Sequence, residues 1–175
     1  MSEFVSKASD ETKKKRELKF QLYIDTYIHE QSGGWGVILL DRQDKKSTES
    51  GREETIDIAH PYTFELFAVI KGLELIFSSV PIEDRRYTSI DLYTDSLYSV
   101  NLLREWLELW SDTLDSRPHS ELLHIVNKLR KEMNIKAKYC GKSNNEYMWA
   151  AEKLAKEQVV PDNHEWIEDN SNLNN

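Results

Sequence analysis

Two aspartates close similar apolar runs. LYIDTY at residues 22–27 and LYTDSLYSV at residues 92–100 share Leu-Tyr-x-Asp, which puts Asp25 and Asp95 at equivalent positions. Side chains alternate along a strand, so each Asp lies on the same face as its Tyr. If the two strands are adjacent and parallel, Tyr23 meets Tyr93 and Asp25 meets Asp95. Ionised carboxylates at that range repel, so one takes a proton or a cation sits between them. An all-oxygen cluster suits a hard divalent ion, Mg2+ or Mn2+. The competing reading is strand-end capping, and spacing alone leaves both open. Glu65, in the first turn of a helical stretch beside Phe64 and Phe67, and Glu152, one turn after Met148, can add carboxylates to the same spot. For either of these, a solvated helix face is the alternative.

These side chains need elements to bring them together. LKFQLYID alternates, with Leu18, Phe20, Leu22 and Ile24 on one face and Lys19, Gln21, Tyr23 and Asp25 on the other. GGWGVILLDRQ reads as a second strand, which turns at Asp44-Lys45-Lys46 into a polar third strand ending near Ala59. Pro61 to Val80 is helical in spacing, Thr88 to Thr94 alternates, and Ser96 to Trp110 and His119 to Met133 are helices. Ile135 to Cys140 is a short strand, and Ser143 to Gln158 is a closing helix opened by a capping box, Ser143-Asn-Asn-Glu146. Three strands followed by alternation predict an α/β fold with a mixed five-stranded sheet. Its start is antiparallel, its later strands are parallel, and helices flank it. Open α/β sheets build their sites at the carboxyl ends of strands, where both aspartates stand.

The 175 residues fit one domain at residues 17–160, between a polar arm at 1–16 and an acidic, Asn-rich tail at 161–175. In the arm, Lys13 to Arg16 can touch phosphates, serve as an import signal or simply be solvated. No apolar run reaches the ~18 residues of a membrane span. No charged n-region with an apolar h-region opens the chain, and the lone Cys140 excludes an internal disulfide and disfavours a zinc–cysteine site. An intracellular protein is expected, with cytoplasm and nucleus both open. The net charge of −8 argues against a simple phosphate-gripping protein. Residues 18–160 carry 18 basic and 23 acidic side chains, so cations bound by four carboxylates would leave them near neutrality. His29, His60, His119, His124 and His164 show no ligand spacing. Trp35, Trp106, Trp110 and Trp149 are expected in the core, and Cys140 in a buried strand.

From about Leu18 to Ala155 the chain resembles type 1 ribonuclease H, through four stretches in the same order. GGWGVIL resembles the family's second strand and FELFAVIKGLE its Met-Glu-Leu helix. LYTDSLYSV with LREWLELW resembles the Thr-Asp-Ser strand end and the Trp-containing helix after it. NIKAKYCGKS followed by EKLAKE resembles the last strand, the glycine loop and the closing helix. The resemblance implies a ribonuclease H-like fold and an endoribonuclease that cuts the RNA strand of RNA–DNA hybrids with two Mg2+ ions, Mn2+ substituting. Asp25 would bridge both ions, Glu65 and Asp95 would complete one site, and Glu152 would hold the other.

Several positions depart from the family pattern. Glu152 replaces an Asp, Thr26 a Gly and Leu97 a Gln, while Lys142 stands where the glycine loop carries a mobile His. Pro61, Tyr62, Thr63 and Phe64 replace polar groove-contacting residues, which implies reliance on the basic arm, a fused domain, a protein partner or a larger complex. Two alternatives follow: a catalytically weak or inactive module of this fold that binds nucleic acid or a protein partner, and a strand-transfer or resolvase enzyme of the same fold.

Overall fold

The computed structural model describes residues 17–53 and 62–160. The expected arm and tail, the end of the third strand towards Ala59, and Pro61 lie outside the described residues, as do His60 and His164.

Strands β1 (Leu18–His29), β2 (Ser32–Leu40) and β3 (Lys46–Glu53) form an antiparallel meander. Helix α1 (Tyr62–Ser79) leads to β4 (Thr88–Thr94), which pairs parallel to β1. Then α2 (Leu97–Asn101) passes through a π-helical turn, Leu102–Trp106, into α3 (Leu107–Leu109). Helix α4 (Ser120–Glu132), β5 (Asn134–Tyr139) parallel to β4, and α5 (Glu146–Val159) complete the domain. The sheet order is β3-β2-β1-β4-β5, the expected mixed five-stranded arrangement.

The central strand is covered on both faces. Leu22 and Ile24 join the main core with Leu66, Leu73 and Ile76 of α1 and Leu92 of β4, while Tyr23 packs with Ile38, Leu40, Met148 and Ala151 beneath α5. The GGWG stretch sets how closely α5 approaches. A Cβ on Gly34 would stand 2.0 Å from the Ala155 carbonyl oxygen, and one on Gly36 2.2 Å from that of Ala151. Only a residue without a side chain lets strand and helix backbones approach this far.

Some expectations change. β1 does not end at Asp25 but runs on to His29, because β2 pairs with it from Gln21↔Leu40 out to His29↔Ser32 across a two-residue turn at Glu30, φ 54°. The parallel ladder to β4 stops at Tyr23↔Tyr93, so Asp25 sits where β4 departs from a strand that continues. Asp41, rather than the Asp44-Lys45-Lys46 run alone, organises the next turn by accepting hydrogen bonds from the Gln43 and Lys45 amides at 2.8 and 2.9 Å.

The cap of α5 also moves. Asn145, not Ser143, is the N-cap, its Oδ1 accepting from the Tyr147 and Met148 amides at 2.8 and 3.2 Å, and Lys142–Asn144 form a separate 3-10 turn. Trp149 is not core: it is 55% exposed on the outer face of α5, with the Lys153 ammonium 5.6 Å from its ring centroid. Trp35 is buried, while Trp106 and Trp110 stack on each other, half-buried, against the main core. Cys140 follows β5 and is only half-buried, although its amide still donates to the Thr94 carbonyl at 2.9 Å. Among the described residues, no helix is long and apolar enough to cross a membrane.

Candidate active site

The parallel register stacks Tyr23 on Tyr93, with ring centroids 4.7 Å apart and planes 10° apart. Two residues further along each segment stand Asp25 and Asp95. Asp25 is 4% exposed. Its Oδ1 accepts from the Thr26 amide at 2.8 Å, whereas its Oδ2 is buried with no hydrogen-bond donor. Asp95 follows the last residue of β4 and precedes Ser96, the N-cap of α2, whose Oγ accepts from the Ser99 amide at 3.1 Å. The same hydroxyl donates to Oε2 of Glu65, which projects from the first turn of α1. Asp25, Thr26, Glu65, Asp95 and Ser96 line a cavity of about 10 Å³, close to the space of one water molecule.

Glu152 approaches from α5, its side chain 15% exposed. Its Oε1 lies 2.9 Å from the Lys156 ammonium and 3.3 Å from that of Lys142. Lys142 reaches further, with its Nζ 3.5 Å from Asp25 Oδ2 and 3.6 Å from Asp95 Oδ2. The structure therefore brings Asp25, Glu65, Asp95, Glu152 and Lys142 to one crest of the sheet. Sequence reasoning missed Ser96 and Lys156. Both carry a signal: Ser96 sits in an N-cap position before a helical run, and Lys156 is one turn beyond Glu152, facing it along the helix.

The electrostatics separate the four acids. Burial, then the Asp95 charge, pushes the Asp25 carboxyl up to about 7, although Lys142 partly offsets both. Burial also raises Glu65, against the Ser96 hydrogen bond. Burial opposes ionisation of Glu152 too, but the Lys156 hydrogen bond and the Lys142 charge outweigh it and hold this acid below the usual range. A carboxyl raised in the folded state keeps a proton that the unfolded chain has released. Folding then takes up a proton between the ordinary value of 3.8 and about 7, and stability falls as pH climbs through that interval. Metal-free protein is accordingly expected to melt at lower temperature at pH 8 than at pH 5. An Asp25→Asn chain should show a shallower slope over the same range, and equal slopes would refute the assignment.

The donor set is hard oxygen throughout: Asp25, whose buried Oδ2 has no hydrogen-bond donor, lines a water-sized cavity with Glu65 and Asp95, a crowding of carboxylates that a small divalent cation would relieve. Among the described residues, no three Asp, Glu, His or Cys side chains form a ready-made metal cage, so the carboxylates line the cavity without closing on a point. The described histidines stand elsewhere: His124 pairs with Asp115 at 2.6 Å, His29 is 4.0 Å from Glu30, and His119 occupies the N-cap position of α4 without a side-chain capping hydrogen bond.

The antiparallel start, the two parallel strands and the carboxylates at their crest define a ribonuclease H-like domain. The RNase H family model matches residues 17–160, and the chain belongs to that family of nucleases. Ribonuclease H of Thermoanaerobacter sp. (strain X514) is 33% identical over 138 residues, covering 73% of this chain and 79% of that protein. Ribonuclease H of Legionella pneumophila (strain Lens) is 34% identical over 99 residues, a match that spans 53% of this chain and 58% of the relative.

Among solved structures, LC9-RNase H1, described as a type 1 RNase H with the type 2 active-site motif, superposes with a TM-score of 0.66 at 17% identity. That match covers 81% of this chain and 72% of the other. LC11-RNase H1 in complex with RNA/DNA hybrid gives a TM-score of 0.52 at 16% identity, over 80% of this chain and 96% of that one.

Proposed function

We propose that the chain is an endoribonuclease that hydrolyses the RNA strand of RNA–DNA hybrids by a two-metal mechanism, with Asp25, Glu65, Asp95 and Glu152 as the ligands of Mg2+ or Mn2+. One observation carries this reading: buried Asp25, its Oδ2 without a donor, faces Glu65 and Asp95 across a cavity of about 10 Å³. Family membership and a fold shared with an RNase H1 solved on a hybrid support the substrate class.

Bound divalent cations would supply the positive charge that gathers the scissile phosphate, acidifies the attacking water and stabilises the leaving 3′ oxygen. The chain's own groups prepare that role. Asp25 reaches both sides of the crest, with Glu65 and Asp95 at the cavity and Glu152 towards α5. Ser96 fixes the Glu65 carboxylate through its hydroxyl and α2 through its cap, so one residue orients two elements of the site. Lys142, 35% exposed, presents a charge that an incoming phosphate can meet. Hydrolysis adds water across the P–O3′ bond and leaves a 3′-hydroxyl and a 5′-phosphate.

A second reading, a weak or inactive module of the same fold, is favoured by the two ammonium groups that already hold Glu152. Incubating hybrid, duplex DNA and duplex RNA side by side with Mg2+ or Mn2+ separates the two. Cleavage of the hybrid alone is expected, lost on chelation and restored by excess Mg2+. Binding of hybrid without cleavage in either metal would move the assignment to the second reading.

A further inference from the structure

The carboxylate cluster has two sides, and they are not alike. Towards α1, Asp25, Glu65 and Asp95 border the small cavity. Towards α5, Asp25, Asp95 and Glu152 surround the Lys142 ammonium at 3.5, 3.6 and 3.3 Å. We propose that, before nucleic acid binds, Lys142 acts as a tethered cation in the place of the second ion of the two-metal reading, so that the free chain takes up one divalent ion, beside Asp25, Glu65 and Asp95. The proposal rests on the metal-dependent reading given above.

Three observations point to it. First, the contacts come from three separate elements: β1, the residue after β4, and α5. A lysine on a solvated face meets one or two acids of its own neighbourhood, whereas this one is centred among acids that arrive from distant parts of the chain. Second, its loop is pinned at both ends. The Cys140 amide bonds to the Thr94 carbonyl at 2.9 Å, and the Asn145 side chain caps α5, so the 3-10 turn of Lys142–Asn144 spans a fixed gap. Third, the charges balance for one ion. Asp25, Glu65, Asp95 and Glu152 carry −4 when ionised, and Lys142 with Lys156 returns +2. The remainder matches a single Mg2+ or Mn2+. Lys156 matters here because its ammonium, 2.9 Å from Glu152 Oε1, further satisfies the acid on which a second ion would depend.

Calorimetric titration of the full chain with MnCl2, in the absence of nucleic acid, counts the ions directly. One Mn2+ per chain is expected for wild type, two for Lys142→Met, and one again for Lys142→Arg, which keeps the charge. Lys142→Gln provides a second neutral variant should the methionine perturb the loop, and circular dichroism verifies that each chain is folded. Two ions in wild type, one in both neutral variants, or two in Lys142→Arg would each overturn the proposal. A parallel cleavage assay tells this failure from that of the underlying reading. Hybrid cut by wild type in Mn2+, with unchanged stoichiometry in the neutral variants, removes only the tethered cation. No ion bound by any variant removes both.

Discussion

Asp25→Asn is expected to abolish hybrid cleavage while making the metal-free protein harder to unfold at pH 8. The loss should be roughly a thousandfold or more, since ion-assisted stabilisation contributes several kcal/mol and each 1.4 kcal/mol is a factor of about ten. The gain has a separate cause. Asp25 is 4% exposed and its Oδ2 has no hydrogen-bond donor, so above about pH 7 the fold carries a buried charge that Lys142, at 3.5 Å, and the Thr26 amide compensate only in part. Asparagine has the same shape, still accepts from the Thr26 amide, and carries no charge. Part of the relief is offset by the lost attraction to Lys142, leaving an increase of about 1–3 kcal/mol at pH 8 that fades towards pH 4. Urea unfolding at the two pH values measures it. A variant that still cuts hybrid, or that unfolds more easily than wild type at pH 8, would contradict this account of the site.

Gly36→Ala should be, with Gly34→Ala, among the most damaging single-methyl changes in the sheet. The added carbon would lie 2.2 Å from the Ala151 carbonyl oxygen, 2.9 Å from Leu154 Cβ and 3.0 Å from the Ala155 amide nitrogen. Two of these three are helix backbone and do not rotate away, so α5 as a whole must lift from β2. Overpacking of this kind costs about 3 kcal/mol or more, a large share of the roughly 5–15 kcal/mol that holds a domain together. The injury also has a functional side: Glu152 follows Ala151 directly, so lifting the helix withdraws that carboxylate from Asp25. Cleavage should therefore fall further than the folded fraction does, as read from activity and circular dichroism at one temperature. Gly141→Ala is the control. It has φ −74° and open space around the added methyl, so stability should change by less than about 0.5 kcal/mol. Equal tolerance at both glycines would show that the close approach of α5 is not what positions Glu152.

Much of the architecture was legible because the signals were redundant. Leu-Tyr-x-Asp occurs twice, and alternation puts each Asp on the face of its Tyr; given adjacent parallel strands, a condition that the pairing of β1 with β4 meets, Tyr23 then stands against Tyr93. The helix expected over Ser96 to Trp110 is found as α2 and its continuation, with Ser96 and Trp110 as its caps, since the apolar spacing between them survives the π-helical turn. Two of the misses share a cause, which is that structure beyond the local stretch decides between two locally acceptable choices. Thr26 to His29 can be strand or loop, and pairing with β2 makes them strand. Ser143 and Asn145 can each cap a helix, and the path out of β5 selects Asn145. Trp149 was misplaced for a different reason: Met148, Ala151 and Ala155 already define the buried face, and a residue one step along from Met148 points away from it. The resemblance puts Lys142 in the glycine loop beside the site, but its contacts with Asp25, Asp95 and Glu152 were not legible, because ten residues of separation from Glu152 say nothing about distance.

The position of β1 at the middle of the sheet has a kinetic corollary. Its antiparallel partner follows at once in the chain, but its parallel partner pairs Tyr23 with a residue seventy positions later. Closing the long loop costs more entropy than closing the hairpin, and pairings of that range form slowly. The carboxylates come from four segments, the last of them near the carboxyl end of the domain. On the proposed assignment of these four carboxylates, hydrolytic competence appears only when assembly is finished, and recovered nuclease turnover would time the final docking event in refolding, where the ellipticity of the early hairpins would not.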